Sequence, residues 1–383
     1  MMLKRIFNAP KQSFFLLGPR GCGKSTWLRE VFPDAYLIDL LSEETYQRLL
    51  VNPGRFADEL RSVPAGMWVV VDEVQRLPNL LNEVHRFIEE KRLSFVLCGS
   101  SARKLKRAGV NLLAGRALHR SMHSFVPEEI GEQFDTEEAL RYGLLPIVLD
   151  SIDKQDTLSA YAQMYLKEEI QTEALVRNLP GFARFLPIAA LFHGQRINVT
   201  NIASEAGVAR TTVASYLEIL EETLLCFRLS AFEAKLRVRE RKLPKWYWCD
   251  PGIVRVMKRA TGSPALEERG VLFEGMVAQL IRAYKDYRLI CDDICYWAPS
   301  GHSDIEVDFI LVRGSDIIAV EAKSGANFTD SWCRGLRAVA QLEGMRRRIV
   351  VYPHGPLMKT QDGIEVMPFR HFSEELASGL LWK

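Results

Sequence analysis

The chain has 383 residues, 48% of them hydrophobic and 26% charged, the balance of an ordinary soluble globular protein with room for two or three domains. A formal net charge of +2 excludes a uniformly basic nucleic-acid binder, so any such surface has to be a local patch. Seven cysteines include no C-x-x-C pair, and several lie in apolar runs where a small buried thiol is the simple reading. No signal sequence opens the chain, and no apolar run approaches the ~20 residues that a membrane span needs. Together these predict a reduced cytoplasmic protein with no membrane partner.

From about residue 10 to 130, strand and helix patterns alternate, which predicts a parallel α/β sheet. Its first strand, Phe14–Leu17, runs into Gly18-Pro19-Arg20-Gly21-Cys22-Gly23-Lys24-Ser25, a match to G-x-x-x-x-G-K-[ST]. From Thr26 to Phe32 the spacing is helical, so the motif sits at a strand-to-helix turn. There the loop amides and the N-terminal end of the helix would wrap the phosphates of ATP. Lys24 would reach the β/γ-phosphates, and the Ser25 hydroxyl would sit on Mg²⁺. A second strand is expected at Ala35–Leu40, and a third, Trp68–Val71, ends in Asp72-Glu73. Asp72 would complete the metal shell, and Glu73 would activate water. The alternative for this pair is the opening of the next helix. Further strands are predicted at Ser94–Cys98 and Ala117–His123. The former ends in Gly99-Ser100-Ser101 and resembles the strand of ring-type ATPases whose polar tip senses the γ-phosphate. Ser100, or Ser101, would take that role. Arg116, with Arg120 in reserve, is the candidate for an arginine supplied to a neighbouring subunit's nucleotide. A plain surface arginine fits as well.

Residues 155–185 read as helical, followed by an apolar helix at Phe185–Phe192. A capped helix from Val199, a glycine-bearing turn at Gly207 and an amphipathic helix over Ala209–Leu220 make a helix-turn-helix signature. Leu224–Ser230 fits the first strand of a wing. Arg210 and Thr211 are the candidate DNA contacts on the second helix, although such units also serve as packing modules. The stretch Lys235–Lys245 holds six cations and one acid. Its Lys235, Arg237, Arg239, Arg241 and Lys242 suit a phosphate backbone, with strongly salt-dependent binding. A solvated linker face is the plain alternative. Clusters at 103–107 and 346–348 would extend that surface or do nothing. Trp246-Tyr247-Trp248 fits a core strand better than a base-stacking platform.

Near the C-terminus, Glu306–Val312 and Ile317–Lys323 read as two strands across a hairpin. Residues two apart share a strand face, so Glu321 and Lys323 point together, and Asp308 joins them if the strands pair. Glu274, on an apolar helix over Leu272–Ile281, is placed to reach the same cluster. Glu274, Asp308 and Glu321 would bind Mg²⁺, and Lys323 would orient or deprotonate a water. A helix at Ser331–Glu343 and a strand at Arg348–Tyr352 follow. These features resemble the restriction-endonuclease-like fold, with its D…E-x-K core. A silent fold or a nucleic-acid clamp is the alternative to an active nuclease.

The order of these motifs, with D-E-V-Q, L-A-G-R and W-Y-W-C-D-P-G among them, resembles one prokaryotic family over roughly residues 10 to 355. It is the AAA-type P-loop ATPase family that carries a C-terminal domain of unknown function with a restriction-endonuclease-like, PD-(D/E)xK fold. The resemblance implies an α/β protein with an AAA-type ATPase domain at 1–150 and a helical linker with winged helix-turn-helix at 151–234. A restriction-endonuclease-like α/β domain would fill 235–383, its tail beyond about 355 having no counterpart. It also implies self-association, a hexameric ring being one form. The expected activity is Mg²⁺-dependent ATP hydrolysis acting on DNA, by remodelling or translocation, with metal-dependent cleavage as a second activity. The alternative is a nucleotide-dependent switch or scaffold whose C-terminal modules bind protein partners without cutting DNA.

Overall fold

The computed structural model describes residues 3–101, 113, 115–165, 170, 176, 178–233, 243–300 and 305–383. The chain divides into two compact units. The first comprises Phe7–His123 with Glu218–Leu225; the second comprises residues 3–6, Ser124–Leu217 and Cys226–Lys383.

In the first unit, strands β1 (Phe14–Leu17), β2 (Tyr36–Asp39), β3 (Trp68–Asp72), β4 (Ser94–Gly99) and β5 (Leu118–Ser121) form one sheet in the order β2-β3-β4-β1-β5. Every pairing is parallel. The unbroken apolar runs of β1, β3 and β4 follow from this, because a parallel sheet is covered on both faces. One face packs Phe15, Val69, Val71, Phe95 and Leu97 against Phe56, Leu60, Leu81 and Val84 of the flanking helices. On the other, Phe14 meets Trp27 and Phe32 at ring distances of 6.5 and 6.3 Å. Trp27 belongs to the helix Lys24–Val31, so this aromatic contact seats the helix that follows the glycine-rich loop. The five strands expected from the sequence are all present, with ends moved by one or two residues, as fraying termini do. The first stretch of this unit ends at His123. The chain beyond it packs with the second unit: Phe125 N donates to Leu144 O, and Leu144 N to the Asp250 carboxylate.

The second unit holds strands β6 (Gln195–Arg196), β7 (Cys226–Ala231), β8 (Lys245–Trp248), β9 (Asp293–Trp297), β10 (Val307–Arg313), β11 (Asp316–Ala322), β12 (Met345–Tyr352), β13 (Met358–Lys359) and β14 (Glu365–Pro368). They form a sheet in the order β13-β14-β12-β11-β10-β9-β7-β8-β6. The strand expected to begin a wing is β7, and it pairs with β8 on one side and β9 on the other. The pairing Ser230↔Cys295 and Ala231↔Tyr296 thus carries the sheet across the boundary expected at 234. The helix Leu266–Arg288 buries residues on more than one side, among them Leu272, Phe273, Met276, Leu280 and Tyr284.

One expected element changes here. The helix foreseen at Ser331–Glu343 is a 3₁₀ turn at Asp330–Cys333 and a short helix at Arg334–Ala338, packed so closely that a Cβ on Gly335 would collide with the Glu306 carbonyl. The tail beyond 355 is ordered into β13, β14 and the helix Phe369–Ser378, and β14 pairs with β12. Arg346, Arg347 and Arg348 extend no cationic face. They pair with Asp316, with Glu365 and Glu375, and with Asp362. The buried Trp246, Tyr247 and Trp248 form a core strand, as the bland reading of that run held.

Candidate functional site

The parallel order of the first unit brings the carboxyl ends of β1, β3 and β4 to one edge, where ligands of open α/β sheets bind. The loop Gly18–Gly23 turns there, with Gly21 and Gly23 at φ of 77° and 86°, a region that favours glycine. Gly18 has no room for a side chain, since a Cβ would strike the Met122 carbonyl. Lys24 Nζ donates to the carbonyls of Gly18 (2.8 Å) and Pro19 (3.1 Å), so the ammonium sits within the loop. Burial disfavours the Lys24 charge, but the anionic groups around it, Glu73 and Asp72 among them, outweigh that, and its pKa is raised. Ser25 Oγ donates to Asp72 Oδ2 at 2.7 Å, uniting a hydroxyl from the first helical turn and a carboxylate from the end of β3. The Cys98 thiol beside Asp72 is pushed well up by burial first and stays neutral. Pro19, Arg20 and Cys22 complete the loop, and Thr26 opens outward on the first helical turn.

Glu73 follows Asp72 in the left-handed region, with φ of 56°. Its amide donates to Asp72 Oδ1 (3.0 Å), and its carboxylate is held by Gln75 and by Ser100 Oγ (3.3 Å). Gln75 Nε2 also donates to Ser100 Oγ at 3.1 Å. Gln75 stands in the sequence only as the last residue of D-E-V-Q, with no role assigned; its place two residues after Glu73 is the signal that marks it. Arg116 is partly exposed and paired with Glu89 of its own unit, whose carboxyl that hydrogen bond holds below its usual range. Arg120 donates to the His119 carbonyl.

On the second unit, the helix Val199–Ala206 is capped by Asn198, whose side chain accepts from the amides of Thr200 and Asn201. Gly207 turns it at φ of 63°, and the helix Arg210–Glu222 follows. Arg210, Thr211, Ala214 and Ser215 are exposed, while Val213, Tyr216 and Leu217 are buried. Of the other DNA-contact candidates, Lys235, Arg237, Arg239, Arg241 and Lys242 lie outside the described residues, as does the 103–107 cluster.

A second cluster lies between β8, β10, β11 and the helix Leu266–Arg288. The hairpin register of Phe309↔Val320 sets Asp308 beside Glu321, and Asp308 N donates to Glu321 Oε2 (3.4 Å). Lys323 pairs with Glu321 Oε1 at 2.5 Å. Glu274, Asp308, Glu321 and Lys323 thus converge. Two residues absent from the sequence candidates join them: Glu306, and Lys245, which sequence reading placed at the end of a basic surface stretch. Lys245 is buried instead, with Nζ 2.8 Å from Glu274 Oε1, 3.5 Å from Asp308 Oδ1, and paired with Glu306 Oε1. Tyr247 Oη donates to Glu274 Oε1 at 2.5 Å. Burial, with Asp308 close by, raises Glu274 to about 7 and Glu321 to about 8. A lysine beside buried aromatic residues was the one available sign that Lys245 points inward.

Three family models divide the chain. An AAA domain matches residues 10–131, and two domains of unknown function, DUF8612 and DUF4143, match 133–263 and 269–372. The last extends past 355, where no counterpart was expected. Uncharacterized proteins of Mycobacterium tuberculosis (Rv2008c) and Mycobacterium bovis (Mb2031c) are each 24% identical over 362 residues, covering 92% of this chain and 79% of theirs. Among solved structures, the Aeropyrum pernix ORC1 protein in complex with DNA aligns at a TM-score of 0.30 and 13% identity, over 66% of this chain and 87% of its own. Protein VC1899 of Vibrio cholerae aligns at 0.23 and 12%, over 96% of each chain. Scores this low carry no functional argument. Among the described residues, no helix is long and apolar enough to cross a membrane. The glycine-rich loop, the Asp72-Glu73 strand end and the family match agree that residues 10–131 are a nucleotide-binding, AAA-type ATPase domain.

Proposed function

We propose that the chain is a Mg²⁺-dependent ATP hydrolase that acts on DNA. The observation that carries the hydrolase half is the convergence of Lys24, Ser25, Asp72, Glu73 and Ser100 at one sheet edge. These residues fit ATP and its metal: the loop has glycines where the backbone turns left-handed, a buried ammonium at its centre, and a hydroxyl against a carboxylate. Bound Mg²⁺ would neutralise charge on the phosphates. Lys24 would exchange its loop carbonyls for phosphate oxygens. Ser25 and Asp72 would hold the metal, and Glu73 would orient or accept a proton from the attacking water. Ser100 would sense the terminal phosphate. Arg116 would serve a neighbouring subunit's nucleotide in an oligomer. Its exposed pairing with Glu89 is of the kind that contributes little, so release would be easy.

The DNA half rests on the helix-turn-helix, whose second helix turns a polar face of Arg210, Thr211 and Ser215 outward. Small and hydrogen-bonding side chains on such a face suit groove contacts. We read the sheet behind Glu274, Asp308, Glu321 and Lys323 as restriction-endonuclease-like, but the cluster does not fit the Mg²⁺ that cleavage needs, because a lysine ammonium lies among its carboxylates. That favours, as a second reading, a scaffold ATPase whose C-terminal modules bind without cutting.

Fluorescence anisotropy of labelled DNA tests the binding half. Arg210→Glu should weaken duplex binding at least about tenfold and flatten its salt dependence. Unchanged affinity in Arg210→Glu would remove the helix-turn-helix from the account. A Glu73→Gln protein that binds ATP but turns it over as fast as the parent would remove the hydrolytic assignment.

A further inference from the structure

The carboxylates of Glu274, Glu306 and Asp308 offer oxygens that lie within 4.8 Å of one another. Three acids held so close, Asp308 buried and Glu274 and Glu306 half-buried, call for a cation among them. The chain supplies one. Lys245 Nζ touches one oxygen of each: Glu274 Oε1, Glu306 Oε1 and Asp308 Oδ1. We propose that Lys245 is the resident cation of this cluster and closes it to divalent metal.

Lys245 is fixed in place. It sits in β8 opposite both Arg196 of β6 and Leu229 of β7, its side chain is 4% exposed, and the next three residues are buried aromatics. An ammonium on such a strand cannot swing aside as one on a loop can. Two of the three oxygens it leaves are also engaged. Arg196 takes Glu306 Oε2 at 3.0 Å, and the Ala322 amide donates to Asp308 Oδ2 at 2.9 Å. Tyr247 shares Glu274 Oε1, and Glu321 is divided between Lys323 and the Asp308 amide. Charge points the same way. Four carboxyl groups, of which Glu321 tends to keep its proton, face three cations (Arg196, Lys245 and Lys323), so a divalent ion would turn an already balanced site net positive. A metal would also have to displace a counter-ion already ordered by folding. The cluster therefore joins β8, β10 and the helix Leu266–Arg288 as a structural ion-pair centre.

Direct metal binding tests this without relying on ATP turnover or on DNA. The full chain carrying Asp72→Asn, free of nucleotide, is titrated with Mn²⁺ and free Mn²⁺ is read by electron paramagnetic resonance. With Lys245 present, Glu274→Gln should leave the binding curve unaltered, because no Mn²⁺ enters the cluster. Lys245→Met should add one site on the order of a hundredfold tighter than any wild-type site, since it removes a like charge from beside the metal, and Glu274→Gln in that background should abolish it. If Lys245→Met unfolds, Mn²⁺ should restore its melting transition, and Lys245→Met with Glu306→Gln should fold without metal. Mn²⁺ bound by the Lys245 protein and lost in Glu274→Gln would overturn the proposal. So would a folded Lys245→Met chain that gains no site.

Discussion

Glu73 adopts a backbone conformation that side chains other than glycine rarely take, at a cost of about 1–2 kcal/mol. Gln75, Ser100 and the Asp72 carboxylate hold it there. In the proposed mechanism Gln75 would act through Glu73 as a positioning residue, so Gln75→Ala should lower kcat about tenfold with KM for ATP unchanged. Steady-state kinetics check this; a raised KM at constant kcat would place Gln75 in nucleotide binding instead. Lys24→Ala should abolish the nucleotide-dependent rise in melting temperature, a linkage worth about 2.7 kcal/mol at a hundredfold excess of ligand over Kd. A persisting rise would separate Lys24 from the phosphates. Residues 18–25 and 72–73 are legible in the sequence because their meaning lies in local spacing. Lys245 is not, since it reads as surface charge until strands distant along the chain fold around it.

Elements differ in the same way. Apolar runs such as Val69–Val71 and Phe95–Cys98 announce buried parallel strands, and capped helices around Gly207 announce themselves. The join of β7 to β9 depends on residues more than sixty positions apart, and no local pattern encodes it. The hairpin β10–β11 carries a pH dependence. Burial and the neighbouring Asp308 hold Glu321 up at about 8 against an ordinary 4.5, with Lys323, Lys245 and Glu274 also facing the cluster. The folded state keeps that proton where the unfolded chain has lost it. Its contribution is full below about pH 4.5 and is lost as pH rises through about 8. Glu321→Gln cannot titrate, so the parent should lose stability relative to it as pH climbs across that window, by at most about 1.4 kcal/mol per pH unit. Denaturant melts at several pH values read the difference; a gap independent of pH would contradict it.

For the whole molecule, a net charge of +2 means that any DNA would have to be held by a restricted face. About three fifths of the chain, in the regions matched to domains of unknown function, has architecture but no activity attached by its relatives. The central claim is that hydrolysis by the AAA-type unit is spent on DNA. The measurement that tests it most directly is ATP turnover by the purified chain with Mg²⁺, alone and with single-stranded, duplex and four-way-junction DNA, at low and physiological salt. At least one DNA form should raise kcat, more strongly at low salt, and Arg210→Glu should lose the stimulation while keeping the basal rate. A rate indifferent to every DNA form at both salt concentrations would contradict the account.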